Sequence, residues 1–92
     1  MYPHPINIQW GPGKLTKICT DEIGIDPRTG AVFLFFNKAK DKLKIFFLDD
    51  DGSQEIMRVL PKGSFMVPVA KKEDKYVKID AKLLPKLFRS ER

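Results

Sequence analysis

The chain has 92 residues, 42% of them hydrophobic and 32% charged, with a formal net charge of +5. These figures fit one small globular domain rather than a disordered chain. The longest apolar run, Ala31 to Phe36, is far short of the roughly 20 residues that cross a bilayer.

A domain of this size buries only roughly 60–65% of its extended surface, so one modest core is expected. The N-terminus lacks the basic and apolar regions of a secretory signal. Cys19 is the single cysteine and cannot form an internal disulfide. A cytoplasmic location is the expectation from these two features. The positive net charge points toward an anionic partner.

Residues 1–13 carry three prolines and two glycines and read as an extended arm of a single domain spanning 1–92. Ile6, Ile8 and Trp10 alternate, which suits a brief strand. Pro12 and Gly13 break it. From Lys14 to Ile23, the apolar residues Leu15, Ile18, Cys19 and Ile23 are spaced to form one helical face. Gly24 suits the left-handed position that ends a helix. Asp26-Pro27-Arg28-Thr29-Gly30 predicts a turn, because proline presets φ and Asp and Gly flank it.

Ala31 to Phe36 predicts a strand buried on both faces. Leu43 to Leu48 predicts a second, with Leu43, Ile45 and Phe47 opposite Lys44, Phe46 and Leu48. Gln54 to Leu60 predicts a third. The links Asn37 to Lys42 and Asp49 to Ser53 are hairpin length, so the order 1-2-3 is antiparallel. Phe65, Val67 and Val69 suit a further short strand, as do Tyr76, Val77 and Ile79. Asp80 can cap a final helix holding Leu83, Leu84, Leu87 and Phe88, with Pro85 in conflict with a regular one. The expected fold is α+β: an N-terminal helix, a three- to five-stranded largely antiparallel β-meander, and a C-terminal helix.

Candidate chemistry begins with Lys38, Lys40, Lys42 and Lys44. Four lysines within seven residues, relieved by Asp41, can lie against phosphates as point charges without base selectivity. The bland alternative is a solubilising loop that protects strand edges. The C-terminal region is also basic, and Lys82, Lys86 and Arg89 at i, i+4, i+7 make a stripe opposite the leucines of that helix. The alternative there is an ordinary polar helix face.

Other readings are weaker. Asp49-Asp50-Asp51-Gly52 lacks the alternate ligands and distal glutamate of a calcium loop, and suits turn chemistry better. His4 is the single histidine and Cys19 sits on the apolar helix face, so a nucleophile–base pair would depend on the arm. Gly11-Pro12-Gly13-Lys14 lacks phosphate-loop spacing. No catalysis, metal or cofactor is expected. Phe33, Phe35, Phe36, Phe46 and Phe47 suit the core. Phe46 shares a face with Lys42 and Lys44, so it offers a stacking surface if that face is open.

One family shares this pattern. Asp26-Pro27-x-x-Gly30, the strand Leu34-Phe35-Phe36, Asn37-Lys38-Ala39-Lys40-Asp41-Lys42-Leu43-Lys44, Leu48-Asp49, Gly52 and Lys62-Gly63-x-Phe65-x-Val67-Pro68 resemble the accessory protein of insertion-sequence-66-type elements. That accessory protein, often called TnpB, is the product of their second reading frame. The likeness covers roughly residues 14–88 and is most specific over 26–68. The family's arginines are mostly lysines here, which removes bidentate geometry. Leu48 and Val67 stand where the family has tryptophan. The family's N-terminal Asp-Met-Arg-Lys-Gly segment has no counterpart around Ile8 to Gly11. The resemblance implies a non-enzymatic role in transposition beside a separate transposase. The expected partners are the transposase of the same element and DNA, with no membrane. The alternative is a protein-interaction module that docks on the transposase without touching DNA.

Overall fold

A computed structural model describes residues 1–65 and 70–78. The expected strand residues Val67, Val69 and Ile79 lie outside the described residues. So do the C-terminal helix and its Lys82, Lys86 and Arg89.

The helix α1 (Pro12–Ile18) starts two residues before the predicted boundary. Proline is tolerated there because the first-turn N–H groups have no intrahelical partner. The helix widens into a π turn, Cys19–Ile23. Gly24 ends it at φ 82°, with the Gly24 and Ile25 amides both donating to the Cys19 carbonyl. Leu15, Ile18, Cys19 and Ile23 are buried, as their spacing predicts. The Asp-Pro turn is a 3-10 turn, Pro27–Thr29, in which the Asp26 carboxylate accepts the Arg28 amide at 2.9 Å.

Three strands follow: β1 (Phe33–Phe36), β2 (Lys42–Asp49) and β3 (Gly52–Val59). They form one antiparallel sheet in the order β1-β2-β3. The meander is therefore as the hairpin-length links require, with three strands among the described residues. Phe33 faces Phe46, and Phe35 faces Lys44.

The sheet is covered on both faces near β1. On one face, Phe33, Phe35 and Phe46 pack with Leu15, Ile18, Cys19 and Ile23 of the helical segment. On the other, Leu34, Phe36 and Leu43 pack with Met1 and Phe65. β1 is buried throughout, while β3 is exposed at every position.

The arm forms no strand. It nevertheless runs along the outer edge of β1, where the Tyr2 amide donates to the Leu34 carbonyl at 2.9 Å and the Ile6 amide to Phe36 at 2.8 Å. Met1 and Val77 then exchange backbone hydrogen bonds, N to O in both directions, at 2.7 and 2.8 Å. The β1 edge is thus closed, which protects it from pairing with another chain.

The Tyr2 hydroxyl donates to Glu22 at 2.7 Å, linking the arm to the end of the helical segment. Burial pushes the phenol up from 10 to about 12, and the Glu22 carboxylate acts in the same direction. The folded state therefore holds this proton more tightly than the unfolded chain. Its stabilising contribution is complete below about pH 10 and is lost as pH rises toward about 12. Urea midpoints compared at about pH 9 and about pH 11.5 should fall further for wild type than for Tyr2→Phe.

Candidate nucleic-acid interface

The β1–β2 turn is built by its own polar residues. The Asn37 side chain accepts the Lys42 amide at 3.0 Å and donates to Asp41 at 2.6 Å. The Lys40 amide donates to the Asn37 carbonyl at 3.0 Å, and Lys40 takes the left-handed conformation at φ 59°. The following loop braces the turn from one side. Leu60 N–H donates to Asp41 and Phe65 N–H to Lys40, at 2.8 and 2.7 Å. A rigid turn thus presents Lys38 and Lys40, both exposed, to solvent.

The four lysines do not form one patch. Lys38 and Lys40 sit on the turn, Lys42 is half-buried at the start of β2, and Lys44 is buried. Lys44 Nζ donates to the carbonyls of Ile8 and Trp10 at 2.6 and 3.0 Å, and pairs with Glu55 at 3.0 Å. Its charge is satisfied inside the protein. Lys44 therefore leaves the group of residues able to meet a phosphate, because an ammonium already holding three oxygens gains nothing from a fourth.

Phe46 belongs to the core, as its strand position suggested. It is fully buried under the helical segment, so the face it shares with Lys42 and Lys44 is closed and offers no stacking platform.

Two residues not expected at this surface join this end of the sheet. Lys62 lies on the bracing loop, exposed, two residues beyond the Leu60–Asp41 link. Its sequence signal was topological: in an antiparallel hairpin, the end of β3 adjoins the start of β2. His4 lines a shallow cavity of about 70 Å³ with Lys38, Lys40 and the two prolines that flank it.

The acidic turn stands at the opposite end of the sheet. Asp50 and Asp51 form a two-residue loop, and the Asp49 carboxylate accepts the Asp51 amide at 2.8 Å. Among the described residues, no group of three or more His, Cys, Asp or Glu side chains is placed to hold a metal ion. Cys19 is fully buried, and burial pushes its thiol up to about 12, far from the thiolate a nucleophile needs. A separate apolar groove of about 510 Å³ opens beside the β1 edge, lined by Met1, Ile25, Val32, Leu34 and Tyr76 among others. Among the described residues, no helix is long and apolar enough to cross a membrane.

With this geometry in view, the class of protein is set by comparison. The family model for IS66 Orf2 like proteins matches residues 1–90, arm included. The chain belongs to that family, which is an accessory-protein family of insertion sequences and their transposition. No curated protein matches the chain, and no solved structure does.

The two lysine environments give opposite expectations. Lys44→Ala leaves Glu55 and two carbonyls without their cation, and should cost about 2–4 kcal/mol, the partial exposure of Glu55 reducing the full buried-pair penalty. Lys38→Gln and Lys40→Gln should each change stability by less than about 0.5 kcal/mol. Urea unfolding of the three variants measures both.

Proposed function

We propose that the protein assists transposition without catalysis, by binding DNA or the transposase–DNA complex through its basic turn. The observation that carries this reading is the segregation of charge along the sheet. Lys38, Lys40 and Lys42 gather at one end, and Asp49, Asp50 and Asp51 at the other. The eight residues of β2 separate them, roughly 23 Å at about 3.3 Å per residue. A phosphate backbone approaching the basic end meets cations on a braced turn, relieved only by Asp41, which Asn37 holds, with the Asp49–Asp51 carboxylates beyond two Debye lengths of roughly 8–10 Å each. The lysines act as point charges, so the contact is positional rather than sequence-reading. Lys82, Lys86 and Arg89 extend the same proposal by their sequence charge.

A second reading has its own observation. The apolar groove beside β1 suits docking on the transposase without DNA contact, and its exposed Val32 and Tyr76 are the side chains such a partner would cover.

Binding to labelled duplex across a salt series separates the two. For wild type, log K should fall linearly with log salt, with a slope of about −0.9 per phosphate contact. Changing Lys38, Lys40 and Lys42 together to glutamine, with Lys44 left in place, should weaken binding and flatten the slope by about 2–3. Folded wild type that fails to bind at low salt overturns the DNA reading and leaves the groove.

A further inference from the structure

Among the described residues, no strand pairs with the outer edge of β3. Its eight residues are all exposed, and Ile56, Met57 and Val59 are 48%, 49% and 55% accessible. Long edges of this kind are normally blunted by lysine, proline or a bulge. β3 contains no lysine or proline, and its register with β2 runs unbroken from Lys42–Val59 to Asp49–Gly52. The β1 edge is closed by the arm, yet β3 has no such cover among the described residues.

The direction of its free backbone groups follows from the turn. A two-residue loop closes on a hydrogen-bonded pair, here Asp49 and Gly52. Alternation then points Gln54, Ile56 and Arg58 toward β2, and Ser53, Glu55, Met57 and Val59 outward. The links Asn37–Lys42 and Leu60–Asp41 obey the same alternation.

We propose that this edge pairs antiparallel with β3 of a second copy of the chain, about a two-fold axis at Ile56, giving a continuous six-stranded sheet. In that register Glu55 hydrogen-bonds opposite Met57, and Ser53 opposite Val59, on both sides of the axis. Ile56 meets its own counterpart in a close, non-hydrogen-bonded pair, flanked by Gln54 opposite Arg58. No like charges face each other.

Charge chooses this occupant and this direction. Antiparallel pairing carries the acidic Asp50–Asp51 turn of each copy to the Leu60–Lys62 end of the other, so opposite charges meet at both ends of the seam. A parallel arrangement would set acidic turn beside acidic turn. Lys38 and Lys40 lie two strands from the seam, roughly 10 Å away at the usual strand spacing. They stay free for the contact proposed above. One strand pair is a small interface, under about 1,200 Å², so the dimer is reversible.

The test is sedimentation equilibrium of the full chain from micromolar to near-millimolar concentration. The average mass should rise from 10.6 kDa toward double that value. Met57→Pro removes an outward N–H while sparing the bonds to β2, and should stay monomeric. Lys62→Glu alone, or Asp50→Lys with Asp51→Lys, should weaken association about tenfold. All three changes together should restore it, and this set decides the matter if Met57→Pro does not fold. Wild type that stays monomeric at the highest concentration overturns the proposal. So does a dimer that persists in folded Met57→Pro, or a combined reversal that recovers nothing.

Discussion

A lysine ammonium can be buried only if its three hydrogens find oxygen, since leaving the charge unpaired costs several kcal/mol. Lys44 meets that condition with the carbonyls of Ile8 and Trp10 and the carboxylate of Glu55. These acceptors come from the arm and from β3, on either side of the strand that carries the lysine. One side chain therefore fixes where the arm crosses the sheet and ties β3 to β2. Trp10, held by this link, lies under the Lys14 ammonium at 4.9 Å from the ring centre, which joins the start of α1 to the same point. The closed edge at β1 depends on the arm being delivered there, and the arm's course depends on Lys44.

With one edge closed by the arm and the other unpaired among the described residues, the sheet is asymmetric across its strands. It is also asymmetric along them, because the turns at its two ends carry opposite charge. In the proposed dimer, the first asymmetry directs backbone pairing to β3. In the proposed function, the second directs anions to the β1–β2 turn. The two proposals draw on different groups, main-chain donors and acceptors at β3 and exposed lysines on the β1–β2 turn.

Membership of the IS66 Orf2 like family gives these surfaces a setting. Lysine at the turn carries charge without bidentate recognition. The phosphate contact proposed there would therefore be positional and read little sequence. Leu48 packs half-buried beside the helical core.

The sequence by itself determined the helical segment, the Asp-Pro turn and the three strands in their order; the strands expected in the arm and at Tyr76 and Val77 do not form. Helical spacing marked Leu15, Ile18, Cys19 and Ile23, and strand alternation separated Leu43, Ile45 and Phe47 from Lys44, Phe46 and Leu48. Proline, asparagine and glycine punctuated the turns. All of these are local signals, carried by residues a few positions apart and set by backbone geometry. The exposure of each face was decided by the tertiary structure. Lys38 and Lys44 look alike in sequence, yet one is on a turn and the other is inside, because the arm returns from 34 residues or more away in sequence to cover Lys44. Phe46 was an open or a closed aromatic until the helical segment settled over it. β3 alternates less cleanly than a half-buried strand, and nothing local shows how exposed its residues are. Burial depends on which distant layer arrives, and periodicity within a segment does not encode that.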